Sequence, residues 1–275
     1  MKKALLFVIV ALAVQIAWGQ ESKKVKIISS QILKGFNDKN LMRIIKPVFE
    51  QGESTLAADS ADFSQDKNSF DAAGNVVITQ TNGTTIYGDL LNYDGNVKTA
   101  IITNNVRLVD KDATLSSNYL TYNTGTKIGT YNNGGKIVDT KNVLTSTNGY
   151  YFTDTGDAYF KNNVVLTSPD ATIKSDTLRY NTNSKIAYFY GPTYIYGKDD
   201  TLYTENGSYN TITEQAYFGK NNLYTQGSKS LKGDSLFFDQ KKGYGRAIKH
   251  VTFVDKAQNA TFKGDLAVYR KKDES

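Results

Sequence analysis

Apolar and polar residues alternate along most of this chain, and short runs of Asn, Asp, Gly and Thr interrupt the alternation at regular intervals. In Thr172-Ile173-Lys174-Ser175-Asp176-Thr177-Leu178-Arg179-Tyr180 the branched and aromatic residues favour a strand. Asn181-Thr182-Asn183 supplies a turn, and Lys185-Ile186-Ala187-Tyr188-Phe189-Tyr190 reads as the return strand. No window keeps an apolar stripe at a helical period, and the Thr, Asn, Gly and Tyr content opposes helix. The pattern recurs with a fixed period. Tyr93, Tyr122, Tyr151, Tyr180, Tyr209 and Phe238 each follow the last by 29 residues. Seven residues before them stand Ile86, Leu115, Leu144, Ile173, Leu202 and Leu231, and seven after them Ala100, Gly129, Ala158, Ala187, Ala216 and Gly245. Three columns that hold for six units without an insertion are not a product of chance. A looser unit with Leu56, Phe63 and Phe70 precedes them, and a partial one from Phe262 to Tyr269 follows.

Each unit therefore reads as strand, turn, strand, connector, with positive φ expected at the turn residues Gly, Asn and Asp of segments such as Tyr93-Asp94-Gly95-Asn96 and Tyr122-Asn123-Thr124-Gly125. Units this small expose an apolar face that only their neighbours can cover, so they stack. The expected fold is all-β: an elongated twisted β-jelly roll built from stacked ~29-residue strand-turn-strand repeats. One ~4.8 Å layer per unit would make the body on the order of 40 Å long, with an open strand edge at each end. The tyrosine column sits an odd number of residues from the apolar column, so in an ideal strand it would face the other way unless a bulge intervenes.

At the amino terminus, Lys2 and Lys3 precede an apolar run from Ala4 to Val14, and Ala17-Trp18-Gly19 offers small residues at the cleavage positions, which reads as a signal peptide over residues 1–19. The apolar run is shorter than the ~20 residues that span a bilayer. Residues 20–275 are expected to form a single domain, with 20–54 as a degenerate first repeat. Within that stretch, Lys24 to Glu50 also admits an amphipathic helix, and Pro47 ends either element.

Composition narrows the chemistry. The chain has no cysteine and a single histidine, His250, which removes disulfide scaffolds, zinc ribbons, thiol nucleophiles and multi-histidine metal sites. A formal charge of +6, or +4 once the two signal lysines are gone, suits an anionic ligand but is too diffuse for a nucleic-acid groove.

The stretch Ala72-Ala73-Gly74-Asn75-Val76-Val77-Ile78, followed by Thr85-Ile86-Tyr87-Gly88-Asp89-Leu90-Leu91-Asn92-Tyr93, resembles the OstA/LptA family of lipopolysaccharide-transport proteins. The phrase returns at Lys161-Asn162-Asn163-Val164-Val165-Leu166 and at Leu231-Lys232-Gly233-Asp234-Ser235-Leu236-Phe237-Phe238, so the resemblance runs from Leu56 to Tyr269. The long series of units is most similar to OstA-like proteins of Bacteroidetes-type bacteria. The resemblance implies a periplasmic protein, associated with the outer membrane, that is not an enzyme and needs no cofactor. It implies an apolar groove that shields the acyl chains of lipopolysaccharide, and partners among other jelly-roll transport proteins joined through terminal strands, including head-to-tail copies of itself.

Under that reading the groove candidates are Ile86, Leu115, Leu144, Ile173, Leu202 and Leu231; plain core packing is the competing role for the same side chains. The acidic column Asp89, Asp176, Glu205 and Asp234 recurs once per unit like rungs, which suits a structural role better than a glycosidase pair facing across a cleft. His250 reads as a surface residue. Two rival functions stand beside lipid transport: a structural or adhesive β-solenoid at the cell surface, and a carbohydrate-active β-helix enzyme.

Overall fold

The computed structural model describes residues 24–36, 40–111, 113–169 and 171–271. The expected signal peptide lies outside them. Among the described residues there are 24 strands and no helix, joined by hydrogen bonds into one antiparallel assembly. The 24–50 stretch holds strands Lys26–Ser29, Ile32–Phe36, Leu41–Ile45 and Val48–Gln51, so the helical alternative fails there; Ile27 pairs with Phe49 inside the stretch, and Phe49 pairs with Leu56 of the next unit.

The strands form two half-sheets that run side by side along the whole body. Long strands such as Ser69–Gln80, Thr85–Asp94, Thr99–Asp110 and Ala113–Asn123 belong to both, and each changes register near its middle. Consecutive left-handed residues make that corner: Gly74 and Asn75, Asn104 and Asn105, Asn162 and Asn163, Lys249 and His250. The strand with the left-handed pair has one residue more across the corner than its neighbour, eight from Ala100 to Leu108 against seven from Ile86 to Tyr93, and it is the neighbour whose alternation breaks, between Gly88 and Leu91. That break, in a strand without left-handed residues of its own, leaves Ile86 and Tyr93 both buried despite their odd separation. The result is a β-jelly roll in which each long strand folds over the interior at its corner.

Asp59 and, from the acidic column, Asp89 and Asp234 hold corners of this kind. Asn75 Nδ2 donates to Asp59 at 2.7 Å, Asn105 Nδ2 to Asp89 at 2.6 Å, and His250 Nδ1 lies 2.9 Å from Asp234, in every case sixteen residues apart. His250 thus fills a bulge position that other units give to asparagine. Its side chain is exposed, as the sequence suggested. At the opposite ends of the strands the turns fall where expected but close differently: Lys127 N donates to Asn123 O at 2.7 Å, Lys185 N to Asn181 O at 2.8 Å and Glu214 N to Asn210 O at 2.8 Å. Positive φ falls on Lys98, Lys127, Lys185 and Glu214, and not on Gly95 or Gly125, because the fifth residue of the turn makes the reversal.

Two inward ladders run the length of the stack. In one, Ile78, Ile86, Leu108, Leu115, Ile137, Leu144, Leu166, Ile173, Ile195 and Leu202 are successive cross-strand partners. In the other, Tyr93, Ala100, Tyr122, Gly129, Tyr151, Ala158, Tyr180, Ala187, Tyr209, Ala216, Phe238 and Gly245 alternate large with small. Both strands of a unit lie side by side in each half-sheet, so one unit advances the stack by roughly 9.6 Å. The body is therefore about twice as long as one layer per unit would make it.

Candidate functional site

The space between the two half-sheets is the one place where apolar side chains from every unit converge. All six groove candidates point into it from the first ladder: Ile86, Leu115, Leu144, Ile173 and Leu202 are buried and Leu231 is half-buried. They do not touch as one cluster but recur once per unit, separated by the rungs Leu108, Ile137, Leu166, Ile195 and Tyr224. These intervening residues went unremarked at the sequence level, although they too repeat every 29 residues. The opposite wall is the tyrosine ladder backed by Phe160, Leu178, Phe189, Phe218 and Leu236.

At the amino-terminal end this space is closed and full. Phe49 from one half-sheet stacks on Phe70 from the other with ring centroids 4.0 Å apart, and Phe70 meets Tyr93 at 5.2 Å. Tyr93 is 0% exposed. Burying one such side chain is worth about 1.5–3 kcal/mol, so these aromatic contacts dominate closure.

The mouth opposite the corners is also stitched here. Tyr93 Oη donates to Gln51 Oε1, and Gln51 Nε2 donates to the carbonyl of Gly95 at 2.7 Å. Tyr151 Oη donates to the Asp110 carboxylate. Asn82 Nδ2 reaches Thr153 Oγ1 and Asp154 Oδ1, each at 3.4 Å, and Lys127 sits between Glu53 at 3.1 Å and Asp154 at 3.3 Å. The hydrogen bond to Glu53 is the main reason the Lys127 ammonium titrates above its usual range. These ion pairs have exposed acidic partners and contribute roughly 0–1 kcal/mol each, less than the aromatic packing beneath them. Burial also raises the tyrosines of the interior: Tyr93 and Tyr122 shift upward, and Tyr131 moves to about 12.

Farther along the stack the interior loosens. A narrow cavity of about 40 Å³ opens between the half-sheets, walled by Leu115, Ile137, Leu144 and Leu166 on one side and by Tyr151, Phe160, Leu178 and Tyr180 on the other. Its rim is polar, with Asp139, Asn142, Thr182 and Thr211. Toward the carboxy terminus Tyr209, Tyr224, Leu231 and Phe238 are only partly buried, and the ladders end on Phe262 and Tyr269 at 65% and 62% exposure. Burial along the two ladders thus falls toward the carboxy terminus. The acidic column contributes no shared centre, since its members sit at separate corners with separate partners.

Both ends of the stack expose strand edges. Among the described residues Ala260–Arg270 pairs only with Tyr244–Asp255, and Lys26–Ser29 and Ile32–Phe36 each pair on one side, with Ile28, Ile32 and Leu33 exposed.

Comparison with known proteins bears on this architecture. A search of curated proteins returns no match. Among solved structures, the chain is similar to LptH from Pseudomonas aeruginosa, described as the LptA homologous periplasmic component of the lipopolysaccharide transport device, with 13% identity and a TM-score of 0.38 over 48% of this chain and 95% of that one. The family model for OstA-like protein matches residues 23–176 and 171–234, which together take in most of the chain and every unit from the first strand to the sixth groove candidate. This chain belongs to the OstA-like protein family.

Proposed function

We propose that this protein is a periplasmic, non-enzymatic carrier of the lipopolysaccharide-transport type, which shields acyl chains between its half-sheets on their way toward the outer membrane. The observation that carries this reading is the gradient of the interior. The ladder that is fully buried at Ile86 and Tyr93 is only partly buried at Tyr224, Leu231 and Phe238, where the Tyr224 and Phe238 rings still meet with centroids 5.7 Å apart. Apolar surface left in water is costly, at roughly 25 cal/mol per Å², and acyl chains are a ligand whose burial there would relieve that cost. Sugars and phosphates of the lipid stay outside the mouth. Of the six groove candidates, Leu202 and Leu231 lie nearest the open end and make the acyl contact; Ile86 serves as core. The exposed terminal strands supply the means of pairing with other jelly-roll transport proteins or with further copies of this chain.

The packed amino-terminal half is what a structural solenoid would display along its entire length, and that second reading is separated by the following experiment. A photo-crosslinking residue placed at Leu231 or Phe238 of the full mature chain, expressed in cells that make lipopolysaccharide, is expected to give a lipid adduct by mass spectrometry, whereas one at Ile86 or Tyr93 gives none. Absence of adducts at all four positions overturns the transport reading and leaves the solenoid.

A further inference from the structure

The outer face of the tyrosine-bearing half-sheet carries a second aromatic series. Tyr159, Arg179, Tyr188, Ser208, Tyr217, Phe237 and Arg246 are successive cross-strand partners on that face. Arg179 Cζ lies 5.6 Å from the Tyr159 ring centre and 5.5 Å from that of Tyr188, and its guanidinium is fixed by Asp157 at 3.0 Å. On the far side of Ser208, Tyr217 packs on Phe237 with centroids 4.6 Å apart, and Arg246 Cζ stands 5.4 Å over the Phe237 ring. Each tyrosine next to Ser208 is therefore backed by a stack, while the small Ser208 leaves a gap between them. A cleft of about 440 Å³ opens here, with Tyr188, Ser208, Tyr217, Phe237, Arg246 and Asn206 among its walls, and it runs on past Tyr217 to Gly219, Ser235 and the edges of the buried Phe218 and Leu236. That volume falls within the ~300–1,000 Å³ common for small-ligand sites.

From this cleft we infer a binding site for an acidic pyranose, a sugar ring that carries a carboxylate or a phosphate. Three features select that class. The strands of Tyr188 and Tyr217 are two rungs apart, about 9.6 Å, which is wider than the ~7 Å that a flat ring sandwiched at van der Waals contact on both faces would take. A puckered ring with hydrogens on both faces suits the wider gap, and aromatic faces receive its C–H surface. The hydroxyl of Ser208 and the amide of Asn206 offer partners to ring hydroxyls, whereas an aliphatic ligand would leave them unpaired. Arg246 has no carboxylate within ion-pair distance among the described residues, so its planar guanidinium is available for an anion.

Titration calorimetry of the full mature protein tests the site, with trigalacturonate as the carboxylated probe, glucose 6-phosphate as the phosphorylated one and maltotriose as the neutral one. Wild type is expected to bind at least one acidic probe about tenfold more tightly than maltotriose, and the preferred acid identifies which anion the site is built for. Arg246→Gln should erase that preference while maltotriose binding is kept. Tyr217→Ala, and Ser208→Trp that fills the gap, should weaken every probe about tenfold or more, with thermal unfolding followed in parallel to show that the variants fold. The inference is overturned if no probe binds wild type at millimolar concentration, or if Arg246→Gln leaves the acid preference intact. These side chains face away from the interior, so such a failure would leave the crosslinking result at Leu231 untouched.

Discussion

The ring of Tyr131 fills the space that a side chain at Gly149 would need: a β-carbon there would lie 2.4 Å from Tyr131 Cε1. Gly135 faces the same ring at 2.5 Å, and the Tyr131 hydroxyl is 2.6 Å from Ser146 Oγ. The glycines are thus required by close approach, since neither has a positive φ. We expect Gly149→Ala to destabilise the protein by about 1–3 kcal/mol in urea unfolding. In a Tyr131→Ala background the same change should cost less, a coupling on the order of 0.5–3 kcal/mol. Equal costs in both backgrounds would show that the ring is not the obstacle.

The gradient along the interior predicts opposite phenotypes for one substitution made at its two ends. Ile86→Asp places a carboxylate in a closed core and should destabilise by several kcal/mol or prevent folding. Leu231→Asp lies in the half-buried stretch, so it should leave a folded protein with reduced lipid capture. Circular dichroism and quantification of co-purifying lipid separate the two. Similar unfolding at both sites would mean that the carboxy-terminal half is core as well.

Alkaline pH should unfold this protein through its tyrosines. Burial raises Tyr93, Tyr122, Tyr131, Tyr151 and Tyr180 above their usual 10.0, Tyr131 to about 12. A raised phenol favours the neutral form in the folded chain, so its contribution is intact below pH 10 and is lost as pH climbs through the folded value. Absorbance at the phenolate band should therefore rise in two waves, exposed tyrosines first and buried ones together with loss of strand signal. On the acid side, burial alone would raise Asp157, but hydrogen bonds from Asn181 and Arg179 outweigh it and lower its value; the amide of Gln215 lowers Asp239. Their stabilisation is present above the ordinary carboxylate range and fades as pH falls below about 4. A single wave that precedes unfolding would contradict the burial of the tyrosine ladder.

The strand Ala260–Arg270 presents Phe262, Leu266 and Tyr269 on an edge that is unpaired among the described residues. Light scattering of the mature protein over a range of concentrations should show association that Phe262→Lys with Leu266→Lys suppresses, because lysine on an edge opposes strand addition. Wild type that stays monomeric throughout, with no jelly-roll partner captured by crosslinking at Leu266, would remove the terminal strand from the transport model.

Much of this architecture was legible because a fixed 29-residue spacing leaves little freedom: the columns of Tyr93 and Ala100 become one ladder by pairing with each other, and the column of Ile86 supplies every second rung of the other. The corner was harder to read. Its sign was present in pairs such as Asn104-Asn105 and Asn162-Asn163, whose side chains tolerate left-handed backbone, but only the register shift fixes which way the following residues point. Positive φ at Lys98 and Lys127 had no signal in residue type at all. The gradient of the interior was not legible either. Ile86 and Leu231 occupy the same column, and the closed end is held chiefly by cross-sheet ring pairs such as Phe49 with Phe70. Local pattern carries no information about such pairings.

The corner motif makes the chain a ruler with a fixed graduation. Because each 29-residue unit contains one complete switch of parity and two rungs per half-sheet, removal of one whole unit, such as residues 144–172, would shorten the body by roughly 9.6 Å and leave every remaining side chain on its present face. Loss of one residue more or fewer within a strand would instead turn the inward ladder outward from that point to the next corner. Length can therefore change between relatives in whole units while the cross-section stays constant, and the span such a protein reaches is set by counting repeats.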